Sequence, residues 1–258
     1  MSERRFAPGE RVLETEDLRR LFGGLAAVGG VSLSLACGEL HAVIGPNGAG
    51  KSTLINLLSG DLKPSAGRIR YGGQDIGPLG THRRVRLGIG RSYQKTNILG
   101  ELTVLENVRL AAQARLTPAG RLWHRAEREA APKTAAMAAL ERVGLAGQAA
   151  RAAGLLSHGG QRQLEIAMTL ATAPSVLLLD EPLAGMGPEE TQRMVALLRQ
   201  LAADHAVLLV EHDMDVVFAV ADRLTVMVNG RVLESGPPPQ IRASAAVREA
   251  YLGEEVAL

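Results

Sequence analysis

The sequence predicts an α/β fold: a core with a mainly parallel sheet, an N-terminal antiparallel β-subdomain and an inserted α-helical subdomain. Three observations predict it. Short alternating stretches open the chain, Val12-Leu13-Glu14-Thr15 and Val31-Ser32-Leu33-Ser34-Leu35. Alternation of period two marks half-buried strands at an antiparallel edge. Uninterrupted apolar runs, Leu40–Ile44, Val176–Leu179 and Ala206–Val210, alternate with helical stretches, the pattern of buried parallel strands joined by crossover helices. Between them, residues 98–155 are rich in Ala, Arg, Leu and Glu and carry few strand signals. The chain therefore reads as a single domain over 1–258. Its core takes 1–95 and 172–258, and the helical insert takes about 96–171.

Each element has its own signal. The run Leu40–Ile44 ends at Gly45 and feeds a turn, after which residues 51–59 show helical spacing through Leu54, Leu57 and Leu58. Val104–Ala114, Arg125–Val143 and Gln161–Ala171 read as helices. Pro188–Ala203 is a helix with proline at its start and Glu189 and Glu190 in its first turn, where acids suit the positive end. Met214–Ala221 is an apolar helix. Leu224–Val228 and Arg231–Glu234 flank Asn229-Gly230, a strong two-residue hairpin signal. Pro237–Pro239 makes a turn before a short C-terminal helix.

Composition excludes several classes. The 258 residues are 46% hydrophobic and 22% charged, which is ordinary for a globular chain. Net charge is +2 and the arginines are dispersed, so no electrostatic footprint for nucleic acid is expected. One cysteine, Cys37, rules out an internal disulfide and fits a reducing, cytoplasmic setting. Met1–Glu10 carries charges without an apolar stretch, so no secretory signal is expected. No run approaches the roughly 18 apolar residues of a membrane span. Any membrane role would run through partner subunits.

Two segments carry chemistry. Residues 45–53 read Gly45-Pro46-Asn47-Gly48-Ala49-Gly50-Lys51-Ser52-Thr53, satisfying G-x-x-x-x-G-K-[ST] between an apolar strand and a helix. Glycines let the backbone wind tightly, so successive N–H groups point at phosphates, and the helix N-terminus adds a positive dipole end. Lys51 then reaches the β- and γ-phosphates of ATP, and the Ser52 hydroxyl ligates Mg²⁺. The motif alone does not separate kinases, GTPases and ATPases. The second segment is Val176-Leu177-Leu178-Leu179-Asp180-Glu181, an apolar strand that delivers two acids to the active edge of the sheet. Asp180 is placed to hold Mg²⁺. Glu181 is the natural general base for an attacking water, which favours hydrolysis over phosphorylation of another molecule.

Leu156-Ser157-His158-Gly159-Gly160-Gln161-Arg162, followed by the acidic strand end, resembles the signature sequence and Walker B strand of ABC transporter nucleotide-binding subunits. The resemblance covers nearly the whole chain and implies a P-loop NTPase core of RecA-like type. It implies that Ser157, Gly159 and Gly160, at the start of a helix beginning near Gly159, form a second phosphate site. That site serves the ATP of a second ATP-binding subunit packed head to tail, as a homodimer or heterodimer. Gln94 falls at the family's Q-loop, which senses the γ-phosphate and metal beside the membrane partner. His212, in Val210-Glu211-His212-Asp213, matches the switch histidine. Phe22 stands where the family stacks an aromatic ring on adenine. Phe22-Gly23-Gly24-Leu25, Leu102–Val108, Gln163–Ala167, Glu211–Met214 and the ending Ala250–Glu254 together resemble the branched-chain amino acid importer branch, shared with urea and short-amide importers.

The resemblance also implies two permease subunits, a substrate-binding protein and a peripheral place at the cytoplasmic face of the inner membrane. Three positions depart from the family pattern. His158 stands where many relatives have glycine, Gly160 closes the signature where the family has glutamine, and Gly187 replaces the D-loop aspartate. A soluble ABC-type ATPase acting on DNA or ribosomes is the alternative class. Such proteins carry two cassettes or a long coiled coil, and this chain shows one cassette and no sustained heptads. An exporter or lipid-flipping ATPase is disfavoured by the branch-level likeness. A P-loop kinase leaves the signature segment and His212 without a role.

Overall fold

The computed structural model describes residues 6–93, 97–116 and 130–255, the last five without their side chains. In chain order the elements are β1 (Arg11–Phe22), β2 (Leu25–Ala36), β3 (Leu40–Ile44), α1 (Lys51–Ser59), β4 (Ala66–Tyr71), β5 (Gln74–Asp75), α2 (Thr81–Leu87), β6 (Ile89–Arg91), α3 (Val104–Leu116) and α4 (Ala130–Arg142). There follow α5 (His158–Leu170), β7 (Val176–Asp180), α6 (Pro188–Ala202), β8 (Ala206–Val210), α7 (Met214–Val220), β9 (Arg223–Val228), β10 (Arg231–Gly236), α8 (Pro238–Ala243) and α9 (Ala245–Glu255).

Two sheets form. The first, ordered β2-β1-β4-β5, is antiparallel. The second, ordered β10-β9-β3-β8-β7-β6, is parallel except at its β9–β10 edge. The mainly parallel core and the antiparallel subdomain thus appear as the residue patterns require. Residues 66–91, which carry weak signals, supply β4, β5, α2 and β6.

The continuous apolar runs are explained by burial on both faces. In β3, Leu40, Ala42 and Ile44 point to one core and Val43 to another. β7 and β8 divide in the same way: Leu177, Leu179, Val207 and Leu209 join the first core, and Val176, Leu178, Ala206 and Leu208 the second. The first core includes side chains of α3–α8, and the second includes α1 and the antiparallel sheet. The central sheet is therefore a shared wall between two apolar layers, and each fully buried Leu or Val adds about 1.5–3 kcal/mol.

A fully buried cation lies inside this framework. Arg84 of α2 is fully buried and donates to the carbonyls of Leu57, Leu58, Ile76, Gly77 and Leu79. The first two belong to the end of α1, whose last carbonyls lack helical partners. Burial pulls the guanidinium down to about 10, so it keeps its charge at neutral pH. At the far edge, Asn229 and Gly230 take φ of 49° and 76°, the doubly left-handed conformation of a two-residue hairpin turn.

Candidate active site

The phosphate loop is wedged between two strands. Gly45 has φ 150°, and a Cβ there would lie 2.0 Å from the Met227 carbonyl oxygen. Gly50 has φ 98°, and its Cβ would meet the Ala27 carbonyl at 2.2 Å. Both places admit only glycine. The turn is closed by Ala49 N–H donating to Pro46 O at 3.1 Å, and the Gly230 N–H donates to Ala49 O at 3.0 Å. No acid occupies the first turn of α1, so its positive end is not neutralised locally. The Lys51 ammonium donates to Pro46 O at 2.9 Å and to Gly45 O. A cleft of about 410 Å³ is lined by Asn47 through Thr53, Ala26 and Ala27 of β2, the Asn229-Gly230 turn and Glu181.

The end of β7 carries both acids, of which Glu181 lines this cleft and Asp180 is buried. Asp180 is 4% exposed, and its carboxyl is pushed above the ordinary range by burial, against the pull of Arg91. Glu181 adopts φ 48° and its N–H donates to Val210 O at 2.9 Å. A left-handed conformation at a side-chain-bearing residue costs about 1–2 kcal/mol. It is held here by the adjacent strand, and it turns the chain so that Glu181 faces the phosphate loop. Glu211 secures this turn from β8. It is 1% exposed, accepts from Leu183 N–H at 2.9 Å and His212 N–H at 3.3 Å, and is raised by burial. The His212 side chain is 68% exposed beside it, its Nδ1 3.7 Å from Glu211 Oε2. Asp213 caps α7 by accepting from Val216 N–H at 3.1 Å.

Ser157, Gly159 and Gly160 lie elsewhere, on a cavity of about 930 Å³, larger than the phosphate-loop cleft. Ser157 is the N-cap of α5. Its hydroxyl accepts from Gly160 N–H at 3.2 Å and donates to Glu190 Oε1 at 2.8 Å. The helix starts at His158, three residues before the Gln161 start expected from periodicity. The cap nucleates a first turn that contains two glycines. Gln94 lies outside the described residues, but its flanks are held by α5. The buried Arg162–Glu165 pair, 2.9 Å apart, grips Tyr93 O at 2.9 Å with its cation and Asn97 N–H at 2.7 Å with its carboxylate. Phe22 sits at the β1–β2 hairpin tip, 45% exposed, with the Arg20 guanidinium 4.6 Å from its ring centroid. It does not line the cleft. Its cross-strand partner Leu25 does.

Three residues matter whose contacts at the site the sequence alone did not reveal. Arg91 donates to Asn56 Oδ1 at 2.6 Å, Ser59 Oγ at 3.0 Å and Asp61 Oδ2 at 2.6 Å. It lies 3.4 Å from Asp180 Oδ2 and 4.6 Å from the centroid of the Tyr93 ring. It thus links the end of α1 to the metal-binding candidate. Glu211 and Glu190 are the others. Capping chemistry at Gly187 could have flagged Glu190, because an acid at the third helical position commonly reaches back to the cap.

The donor set suits Mg²⁺. Among the described residues no cluster of three His, Cys, Asp or Glu side chains could hold a metal by itself. The donors expected from the sequence, Ser52 and Asp180, are one hydroxyl and one buried carboxylate. Mg²⁺ is typically held by such a sparse protein set, completed by water and substrate phosphates.

A strand-fed phosphate loop, a paired-acid strand and a serine-capped, glycine-rich helix start are the marks of a cassette-type P-loop ATPase. The ABC transporter family profile matches residues 28–184, and a profile described as branched-chain amino acid ATP-binding cassette transporter matches residues 231–257. The chain belongs to the ABC transporter family, as an ATP-binding, ATP-hydrolysing subunit. It is 42% identical over 255 residues to the high-affinity branched-chain amino acid transport ATP-binding protein BraF of Pseudomonas aeruginosa, covering 94% of this chain and 98% of that one. LivG of Escherichia coli, of the same description, is 40% identical with the same coverage. The methionine import ATP-binding protein MetN of Brucella abortus is 39% identical over 231 residues, covering 88% of this chain but 60% of that one. Among solved structures, a nucleotide-free ATP-binding cassette from an ABC transporter superposes with a TM-score of 0.84 at 32% identity, covering 94% of this chain and 99% of that chain. The ADP conformation of the cassette MJ1267 gives the same score and identity, covering 95% and 99%.

Proposed function

We propose that this subunit drives an importer of branched-chain amino acids. It works as one half of a head-to-tail pair at the cytoplasmic face of the membrane, with two permeases and a substrate-binding protein. The cargo assignment is supported by the two relatives aligned over their whole length and by the 231–257 match. The MetN likeness shows that the cassette portion alone crosses cargo classes. Membrane contact in this reading runs through partners; no described helix is long and apolar enough to cross a bilayer. Tyr93 is exposed and lines a small cavity of about 180 Å³ at the Gln94 flanks, and the exposed Leu99 and Leu102 follow closely in the chain. They form the natural seat for a permease segment.

In this reading the loop N–H groups and Lys51 bind the β- and γ-phosphates, and Lys51 exchanges its carbonyl partners for phosphate oxygens. Ser52 and Asp180 hold Mg²⁺, which when bound neutralises phosphate charge. Glu181 takes the proton of the attacking water, and His212 and Gln94 orient that water against the γ-phosphate. Phe22 stacks on adenine at the rim. Ser157, Gly159 and Gly160 serve the partner's nucleotide, which explains why they occupy a separate cavity. The observation that carries the reading is Glu181, turned into the phosphate-loop cleft by a left-handed backbone.

Glu181→Gln keeps the shape and removes the base. Turnover should fall by about 10²–10⁴-fold while ATP affinity stays, and the ATP-loaded variant should elute as a dimer. Hydrolysis at the parent rate would show that Glu181 is not the base.

A further inference from the structure

The signature site of the isolated subunit is already occupied by an anion from its own chain. Ser157 Oγ donates its one proton to Glu190 at 2.8 Å. The Ser157 hydroxyl, more than the nearby Gly187 and Gly159 backbone, holds the Glu190 carboxylate below the ordinary carboxylate range. It lies flat on the helix start: a Cβ on Gly159 would stand 2.7 Å from the Glu190 carboxyl carbon. We propose that Glu190 is an intramolecular stand-in for the γ-phosphate, so that ATP-driven pairing is an exchange of carboxylate for phosphate at α5. The inference rests on the pairing reading given above.

Three physical points carry it. A serine hydroxyl has one proton, so Ser157 can donate to Glu190 or to a phosphate oxygen but not to both. A carboxylate and a phosphate at one helix start repel, while each alone is favoured there by the dipole. The displaced carboxylate also has a destination, because Arg193 lies one turn along α6 on the same cavity and already attracts it. Gly187 fits this scheme. It is the N-cap of α6 and brings no side-chain acid of its own to that end.

The test uses the full chain in the Glu181→Gln background, where pairing is read without turnover. The ATP concentration giving half-maximal dimer is measured by light scattering for Glu181→Gln and for Glu181→Gln with Glu190→Gln. Neutralising the competitor should lower that concentration by about threefold or more, with thermal unfolding of the two proteins alike. Glu190→Ala should shift it in the same direction, which guards against an effect peculiar to the amide. An unchanged or higher ATP requirement in both Glu190 variants overturns the exchange. A higher requirement would make Glu190 a support that orients Ser157 for phosphate. If Glu181→Gln itself never pairs with ATP, the pairing reading fails instead.

Discussion

Replacing Arg91 with Met tests how the metal-binding candidate is held. Methionine approximates the volume but removes a cation whose side chain is 9% exposed. Asp180, 4% exposed, then loses its compensating charge. The hydrogen bonds to Asn56 and Ser59 are also lost, at about 1 kcal/mol each. The pair with Asp61 adds little because that carboxylate is exposed. Breaking a buried pair from one side costs about 3–5 kcal/mol, so with the two hydrogen bonds a total of about 5–7 kcal/mol is expected. For a chain of this size that lowers the unfolding midpoint by roughly 15 °C, read by circular dichroism without nucleotide. The deficit should depend on pH. Burial already raises the Asp180 carboxyl, and loss of Arg91 raises it further. A carboxyl raised on folding binds its proton more tightly in the native state, so stability falls as pH rises through the window between the unfolded and native values. The deficit should therefore be full at neutral pH and shrink on acidification through that window. Arg91→Lys should recover part of it. A Met variant melting within about 2 °C of the parent, or a deficit that ignores pH, would refute the compensation.

Two further outcomes are expected. His41 is buried, with Nδ1–H donating to Ser34 O at 3.2 Å and Nε2 accepting from Thr225 at 2.7 Å, and burial lowers it to about 4 beside Arg223. The unfolded chain takes a proton that the native ring refuses. Stability should thus fall by about 3 kcal/mol between pH 6.5 and 4, a slope that His41→Gln should flatten in guanidinium titrations. Phe22→Ala should weaken ATP and GTP binding alike by roughly tenfold while leaving the unfolding midpoint nearly unchanged, because the ring is largely outside the core. Unchanged affinity would make Phe22 a hairpin-tip residue only.

Much of the fold was legible because its strands are extreme. β3, β7 and β8 are buried on both faces, so they read as uninterrupted apolar runs, and Asn229-Gly230 announces its own turn. α2 was not legible for the opposite reason: the residue it buries is Arg84, which inverts the expected pattern. β4 buries only Ile69 and Tyr71, next to exposed or half-exposed arginines, so its apolar pattern is weak. At the site, contiguous motifs were readable because their chemistry is local. The links between motifs were not. Arg91 meets Asp180 across 89 residues and Ser157 meets Glu190 across 33, and nothing in either local stretch encodes the encounter.

The position of β3 sets an order on the synthesis of the molecule. This strand leads directly into the phosphate loop near the N-terminus, yet its neighbours are β8 and β9, residues 206–210 and 223–228. The loop is further braced by Gly230, whose carbonyl accepts from Gly29 and whose N–H donates to Ala49. While the ribosome is still making the helical segment, the completed phosphate loop has neither flanking strand nor brace. A chain that stops short of residue 230 carries every residue of the loop but not the walls that shape it. Competence to hold a nucleotide therefore arrives late and all at once, and truncated or stalled products are left without a half-working ATP site.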